Sequence, residues 1–286
     1  MKGALPSLLL LLAMNGEPAE QVPTFGSAIE VVRLDVSVTR DGAPVLGLTA
    51  ADFEVKDEGT LQRAELVVRD DATIHAILAL DTSSSVAGEK LSQLKAAAHR
   101  FVDALRPDDT LSLLTFSESI DLAVVQSRDR QEAHAAIELA RTKLTTSLHD
   151  ACLASLTLAD PALGRPLVLV FSDGQDVGSW TSSERVLEMA RESEAVVHAV
   201  VSTTADSPGV LRDLTGETGG RTWQAADGDR LGDVFLSALE EFRSRYRLQY
   251  EPRGVKRDGW HRLQVRLKHA DGRVYARRGY LHRGGG

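Results

Sequence analysis

The sequence predicts an α/β, Rossmann-like fold in which a doubly wound, mostly parallel six-stranded sheet is inserted in a small all-β domain. Two observations predict it. Between residues 72 and 245, short apolar runs alternate with amphipathic stretches of helical length, which is typical of parallel strands joined by helices. In the flanks, residues 27–71 and 246–282, apolar residues recur at every second position, as in half-buried strands. Neither flank can form a stable sheet alone, so we expect the two to pair.

The first 22 residues have the layout of a secretory signal peptide. Lys2 precedes an apolar run over 8–14, and small and polar residues follow. The run is shorter than the roughly 20 apolar residues that a membrane-spanning helix needs. We therefore expect an extracytoplasmic protein, periplasmic or secreted, with no transmembrane segment in its mature chain. A disordered or buried N-terminal segment is the alternative.

The strands of the two flanks follow from their periodicity. In the N-terminal flank, Leu34, Val36 and Val38 alternate with polar residues and "RDGAP" supplies a hairpin turn. The stretch "DFEVKDEG" then puts Phe53 and Val55 on one face before another turn. In the C-terminal flank, three strands are predicted in "YRLQYEP" (246–252), "HRLQVRLK" (261–268) and "VYARRGYL" (274–281).

In the central region, apolar runs alternate with predicted helices. The runs lie at 74–80, 110–116, 122–126, 166–172 and 195–202. The predicted helices lie at 88–106, 129–143, 147–159, 182–193, 209–220 and 231–245. The runs 110–116 and 122–126 are too close for a crossover helix and must form an antiparallel hairpin. We place that one antiparallel strand at an edge of the sheet.

Charge and cysteine content narrow the classes of function. The net charge is −8, although the segment from Arg243 to the C-terminus carries 13 Lys or Arg against three Asp or Glu. In "RLQVRLK" the basic and polar residues alternate with leucine and valine, as in a strand with one wet face, and aromatic stacking residues are not interleaved. We therefore expect no nucleic-acid binding. The single cysteine, Cys152, excludes an intrachain disulfide and is expected to be buried on a helix.

Two predicted strands end in a carboxylate. Asp81 follows "IHAILAL" and opens "DTSSS", and Asp173 lies in "VFSDGQD". In a doubly wound sheet, ligands collect at the carboxyl ends of the strands near the switch point. In an extended loop, Asp81, Ser83 and Ser85 would point the same way, and such hard oxygen donors favour Mg²⁺, Mn²⁺ or Ca²⁺. By itself, "DTSSS" is also compatible with a helix cap or a nucleophile.

These motifs resemble the metal-ion-dependent adhesion site of von Willebrand factor A (VWA, integrin I-like) domains. The family's D-x-S-x-S matches Asp81, Ser83 and Ser85, and its later strand-end aspartate matches Asp173. Its threonine matches Thr146 in "LTTSLHDA", with Thr145 as the alternative because Leu144 and Thr145 stand where two glycines are common. The resemblance covers residues 72–245, and the flanks resemble bacterial secreted VWFA-related proteins.

The resemblance implies a role for each of these residues. Ser83 and Ser85 would bind the metal directly, Thr146 directly or through water, and Asp81 and Asp173 largely through water. Hydroxyl ligands leave much of the cation's charge uncompensated, so the open position suits an Asp or Glu side chain of a protein partner. We therefore expect a metal-dependent protein-binding module, in adhesion or as a scaffold.

Two other functions are compatible with parts of the sequence. A hydrolase or phosphoryl-transfer enzyme could use Asp81 as nucleophile, but such enzymes place a second carboxylate two residues later, where this chain has Ser83. A structural module with a vestigial metal site is the other alternative. We expect no enzymatic activity. Structural or loop roles are expected for Asp176, His75, His149 and His198, and Trp180 is either a partner contact or packed under its own loop.

Overall fold

The computed structural model describes residues 31–67, 72–173, 175–201, 209–225 and 228–282. The predicted signal segment, 1–22, lies outside these residues. The strands in chain order are β1 (Val32–Arg40), β2 (Ala43–Pro44), β3 (Phe53–Asp57), β4 (Thr60–Gln62), β5 (Glu65–Leu66), β6 (Ile74–Asp81), β7 (Thr110–Phe116), β8 (Ile120–Ser127), β9 (Arg165–Ser172), β10 (Val196–Val201), β11 (Thr222–Gln224), β12 (Tyr246–Tyr250), β13 (Gly259–Leu267), β14 (Arg273–Tyr275) and β15 (Gly279–His282). The helices are α1 (Glu89–Asp103), α2 (Arg130–Leu139), α3 (Leu148–Leu158), α4 (Ser183–Glu192), α5 (Gly209–Thr218) and α6 (Leu231–Arg243).

The central sheet has six strands in the order β11-β10-β9-β6-β7-β8. All neighbours are parallel except β7 and β8, which form the predicted antiparallel hairpin at one edge. Every residue of β6 and β9 is buried, because helices cover both faces of the sheet. One face packs against α1, α2 and α6, and the other against α3, α4 and α5. The predicted doubly wound fold is confirmed.

The two flanks form a second, all-β core. One sheet has the order β14-β1-β12-β5, with β2 beside β1, and the other has the order β15-β13-β3-β4. Each sheet mixes strands from both ends of the chain, with Leu34 opposite Leu248 and Val55 opposite Val265. The α/β domain is therefore inserted between the two halves of this β domain, as predicted.

The predicted turn in "RDGAP" is a tight hairpin between β1 and β2. Its central residues, Asp41 and Gly42, both have positive φ, at 51° and 85°. A two-residue turn with positive φ at both positions matches the right-handed twist of the strands it joins, and Asp-Gly is a favoured pair for it. The same pattern recurs at Glu58 and Gly59, between β3 and β4.

The prediction of a single strand over 274–281 is wrong. The chain forms β14 and β15 there, which pair with β1 and β13 in different sheets. Between them the chain crosses from one sheet to the other, and the Arg277 side chain donates to the Gly279 carbonyl at the corner, 2.6 Å away. Period-2 hydrophobicity continues through this crossing because both strands face the same core. Strand β11 was not recognised among the apolar runs, since it is three residues long.

Buried ion pairs connect the two domains. Arg165, at the start of β9, contacts Asp35 of β1 and donates to the Phe242 carbonyl in α6. In α6, Glu241 pairs with Arg245 at 3.0 Å and lies 2.8 Å from His198. Arg245 in turn donates to the Asp35 carbonyl of β1 at 3.4 Å. No helix in the described part of the chain has the length and apolar character to cross a membrane.

Candidate metal centre

The two strand-end carboxylates lie side by side. Strand β6 ends at Asp81, strand β9 ends one residue before Asp173, and the two strands are parallel neighbours with Leu80 opposite Phe171. The chain runs from β6 to β7 on one side, while β9 lies on the other side. This is the switch point of the sheet, where the loops after adjacent strands diverge and leave a crevice.

Asp81 is fully buried and organises the loop that follows it. Its Oδ1 accepts a hydrogen bond from the Ser83 main-chain N–H at 2.9 Å, and its Oδ2 accepts one from the Ser172 hydroxyl at 2.8 Å. Burial raises the pKa of Asp81, while the hydrogen bonds from Ser83 and Ser172 act in the opposite direction. Both carboxylate oxygens are thus directed by neighbours on β9 and on the loop itself.

The hydroxyls of Ser83 and Ser85 converge with Asp173. The two Oγ atoms are 2.9 Å apart, and Ser85 Oγ lies 2.5 Å from Asp173 Oδ1. Adjacent ligands of an octahedral Mg²⁺ with bonds of about 2.1 Å are separated by about 3.0 Å. The spacing of the two serine hydroxyls therefore fits a small hard cation, whereas Ser85 and Asp173 are at the distance of a direct hydrogen bond.

The loop itself differs from the prediction of an extended segment. Ser83 is extended (φ −67°, ψ 168°), but Ser84–Val86 form a single turn of 3₁₀ helix. Ser83 and Ser85 meet because this turn brings the second hydroxyl back towards the first. The other two hydroxyls of the motif point elsewhere: Thr82 donates to the Phe116 carbonyl at 3.1 Å and Ser84 to the Leu144 carbonyl at 2.9 Å.

Thr146 lies just before α3 and is buried, whereas Thr145 is exposed. The Thr146 carbonyl accepts from the main-chain N–H groups of Val177 and Gly178, both at 3.0 Å. A Cβ added at Gly178 would lie 3.1 Å from the hydroxyl oxygens of both Thr145 and Ser147. The side chains of Thr145 and Ser147 therefore pack against the segment at Val177 and Gly178. A side chain larger than glycine at position 178 would crowd their hydroxyls.

Lys90 is a member of the site that the sequence reasoning missed. Its ammonium lies 2.9 Å from Asp173 Oδ2 and 3.0 Å from the Ser85 carbonyl oxygen. The Asp173 side chain is 3% exposed, so this lysine supplies positive charge to a nearly buried carboxylate. A signal was available in the sequence, since a lysine at the start of the helix after "DTSSS" must lie near the carboxyl end of β6.

The loops around the site expose large apolar side chains. Trp180 is 98% exposed, so the alternative in which it packs under its own loop is wrong. Its main-chain N–H donates to Asp150 in α3. Leu144 and Val177 are exposed on the neighbouring loops. Asp176 accepts from the His149 N–H at the start of α3 and is a capping residue, as expected.

The other singled-out residues lie away from this crevice or inside the core. His75 and His198 are fully buried, and His149 is bonded to the Thr181 carbonyl. Cys152 is buried in α3, and burial raises the pKa of its thiol to about 12, which makes it a poor nucleophile.

The carboxylates of Asp81 and Asp173 and the hydroxyls of Ser83 and Ser85 are oxygen donors at this crevice. Among the residues that the structure describes, no group of three or more His, Cys, Asp or Glu side chains is arranged to hold a metal ion. A cation in this crevice would therefore depend on serine and threonine oxygens, which suit a hard ion rather than one that prefers nitrogen or sulfur.

Comparison with known proteins identifies the fold family. The family model described as the von Willebrand factor type A domain matches residues 77–236. The chain belongs to this family. The matched span runs from within β6 to within α6 and so includes the whole crevice. A search of curated proteins found no match.

Solved structures with the VWA fold resemble the chain at low sequence identity. A von Willebrand factor type A protein from Catenulispora acidiphila has a TM-score of 0.54 and 13% identity, covering 91% of this chain and 76% of that one. Proximal thread matrix protein 1 (PTMP1) from the mussel byssus, with a zinc-occupied MIDAS motif, has a TM-score of 0.53 and 17% sequence identity, and the match covers 72% of this chain and 50% of that one. The vWF domain of the type V pili tip protein Mfa5 from Porphyromonas gingivalis has a TM-score of 0.51 and 10% sequence identity, and the match covers 60% of this chain and 96% of that one. This chain thus spans about half the length of PTMP1, and these likenesses show a shared fold alone.

Proposed function

We propose that this protein is a metal-dependent protein-binding module, in adhesion or as a scaffold. The observation that carries the proposal is the position of Ser85 Oγ at the ends of β6 and β9, where it lies 2.9 Å from Ser83 Oγ and 2.5 Å from Asp173 Oδ1. A divalent cation would be held by Asp81, Ser83, Ser85, Thr146 and Asp173. An Asp or Glu side chain of the partner would complete its coordination.

The proposed role of each residue follows from its contacts. Both carboxylate oxygens of Asp81 already accept hydrogen bonds, so Asp81 positions Ser83 and interacts with the cation indirectly, through the hydroxyls or water. Thr146 is buried just before α3 whereas Thr145 is exposed, which supports Thr146 over Thr145 as the ligand. When bound, the cation supplies the positive charge that attracts a carboxylate. Because the inner donors are neutral hydroxyls, the protein leaves that charge largely available.

We infer that Mg²⁺ is the cation, with Mn²⁺ or Ca²⁺ as alternatives, because the donors are hard oxygens. Zinc in the motif of PTMP1 makes Zn²⁺ a necessary competitor in any titration.

We also infer an extracytoplasmic location and no catalytic role. Two proteins that share the fold belong to extracellular structures by name, the mussel byssus and a bacterial pilus tip. No nucleic acid is expected as partner. The exposed Trp180, Leu144 and Val177 around the crevice suit a protein surface better than a small substrate.

The test combines metal titration with peptide binding. Peptides that contain Asp or Glu, and matched peptides with Asn or Gln, are immobilised and probed with the full chain in Mg²⁺ and in EDTA. Calorimetry measures Mg²⁺ binding to wild type, Asp81→Ala, Ser83→Ala and Asp173→Ala. Ser84→Ala is the matched control, because this serine is in the same loop but donates to the Leu144 carbonyl.

We expect Mg²⁺-dependent retention of the carboxylate peptides alone. The three site variants should lose at least about tenfold in Mg²⁺ affinity, while Ser84→Ala should behave as wild type. Peptide retention that is unchanged by EDTA would refute the proposal.

A further inference from the structure

Outside the candidate metal centre, two histidines on neighbouring helices contact each other. His99 on α1 and His134 on α2 have their Nδ1 atoms 2.6 Å apart, and their ring centroids are 4.9 Å apart. Both rings are partly exposed, at 25% and 32% of the side chain. Ions in solution can therefore reach the pair.

Each of these rings is held by a carboxylate of the opposite helix. His99 Nε2 lies 2.7 Å from Glu138 of α2, and His134 Nε2 lies 3.0 Å from Asp103 of α1. On both helices the acidic residue follows the histidine by four positions, so the two contacts cross between the helices in a nearly symmetric way. The two histidines and the two carboxylates thus form one connected cluster of four side chains.

These contacts determine what the Nδ1 atoms can do. A carboxylate accepts hydrogen bonds, so both Nε2 atoms carry their protons and donate them. A neutral imidazole with its proton on Nε2 has a lone pair on Nδ1. Two such lone pairs at 2.6 Å repel each other unless a proton or a metal ion lies between them.

The surroundings of the pair favour a cation. Asp103 and Glu138 bring two negative charges, and Lys95 brings one positive charge near Glu138, at 3.9 Å. Arg141 donates to the Glu138 carbonyl from the end of α2. The four side chains of the pair therefore carry a net negative charge when both rings are neutral.

We propose that His99 and His134 form a second cation site, which takes a transition-metal ion of the Zn²⁺, Cu²⁺ or Ni²⁺ class through both Nδ1 atoms. Imidazole nitrogen suits these metals, and a carboxylate that accepts from the opposite ring nitrogen is the usual outer partner of a metal-bound histidine. Zinc–nitrogen bonds of about 2.0 Å require the two Nδ1 atoms to move to about 3.3 Å apart. Solvent-exposed side chains on two helix surfaces can make that adjustment.

The site differs in chemistry and place from the crevice at Asp81. It offers two nitrogen ligands, and water would take the remaining positions, because Asp103 and Glu138 are engaged by the Nε2 atoms on the far side of the rings. It lies on the outer surface of α1 and α2, the helices that follow Ser85 and precede Thr146 in the chain. A metal there would connect these helices and should raise the thermal unfolding midpoint.

The test is a Zn²⁺ titration of the full chain without a histidine tag, in saturating Mg²⁺ to occupy the Asp81 crevice. His99→Gln and His134→Gln are the principal variants, because a glutamine amide can still donate to the carboxylate but has no Nδ1 ligand. His269→Gln is the matched control, since this histidine is exposed on the β domain. Asp103→Asn provides a milder change at a surface position, and Asp81→Ala reports on zinc bound in the crevice.

We expect one Zn²⁺ to bind to wild type, His269→Gln and Asp81→Ala and to raise their unfolding midpoints. Binding should be lost in His99→Gln and His134→Gln and weakened about 10–100-fold in Asp103→Asn. Electron paramagnetic resonance of the Cu²⁺ form should show two nitrogen ligands in wild type. Zinc binding that is unchanged in both histidine variants, or a pair that binds only a proton and no metal, would overturn the proposal. Neither outcome bears on the Mg²⁺ site.

Discussion

At the residue scale, the candidate metal centre contains a cation of its own. Lys90 shares Asp173 with Ser85, so the oxygen cluster and an ammonium group compete for the same carboxylate. The lysine side chain is 56% exposed and can leave without disturbing the core. A metal that enters the crevice meets the repulsion of this ammonium, so Lys90 should lower the metal affinity.

Lys90→Met is therefore expected to strengthen Mg²⁺ binding. An ion pair with this much solvent contact is worth roughly 0.2–1 kcal/mol, so the dissociation constant should fall by up to about fivefold. Isothermal titration calorimetry measures the change. Lys56→Met, which removes a partly exposed lysine from the β domain, is the control. Weaker Mg²⁺ binding in Lys90→Met would show instead that the lysine helps to hold Asp173 in place.

At the scale of elements, α6 is connected to its surroundings by buried charges. Burial alone would raise the pKa of Glu241, but the charges of Arg245 and His198 lower it overall, with help from a hydrogen bond with Ser37 of β1. Burial lowers the pKa of His198, against the influence of Glu241. Helix α6 thus depends on an ionised Glu241 for its contacts with both domains.

This dependence predicts how stability changes with pH. A carboxyl group whose pKa is lowered by folding stabilises the protein above its unfolded-state pKa, and this contribution is lost as the pH falls towards the folded-state value. Glu241→Gln should lower the free energy of unfolding by about 3–5 kcal/mol near pH 7, because Arg245 loses its buried partner. The loss of stability below about pH 5 should be shallower than in wild type.

Urea unfolding at a series of pH values measures both effects. Glu240→Gln is the matched control, since this neighbour on α6 is exposed. A Glu241→Gln profile that runs parallel to wild type through the acid range would contradict the assignment.

At the scale of the whole molecule, Arg165 is one of the buried connections between the inserted domain and the β domain. Its Nε donates to Asp35 at 3.0 Å, and its guanidinium lies 4.5 Å from the centre of the Phe242 ring. The arginine side chain is 7% exposed and the aspartate 17%. One side chain at the start of β9 therefore contacts both β1 and α6.

Arg165→Met is expected to uncouple the two domains during unfolding. Removing one partner of a largely buried pair should cost up to about 3 kcal/mol, while Asp35 keeps the attraction of Arg247 and Arg277. Differential scanning calorimetry should show one transition for wild type and two for the variant. Arg128→Met, at an exposed position, is the control. One transition of unchanged midpoint in Arg165→Met would show that other contacts couple the domains.

Much of this organisation could be predicted from periodicity and from order along the chain. The apolar runs before Asp81 and Asp173 identified two strands that end in a carboxylate, and the short spacing after Phe116 identified the hairpin. The boundaries 27–71, 72–245 and 246–282 stay predictions. The crossing between β14 and β15 was missed, because hydrophobic alternation records which side of a strand is buried and not which sheet it joins.

By itself, the sequence determined the α/β fold, the inserted arrangement, and which strand ends carry the hydroxyls and carboxylates of the candidate centre. These follow from local periodicity and from motif spacing, which hold within one segment of chain. Only the tertiary structure decided that Ser84–Val86 form a turn, that Lys90 lies on Asp173, and that His99 faces His134. The two side-chain contacts depend on distances between segments, which are set by how helices and strands pack. The turn is local, with the Val86 N–H donating to the Ser83 carbonyl at 3.1 Å, but a short polar loop has no hydrophobic period from which to predict it.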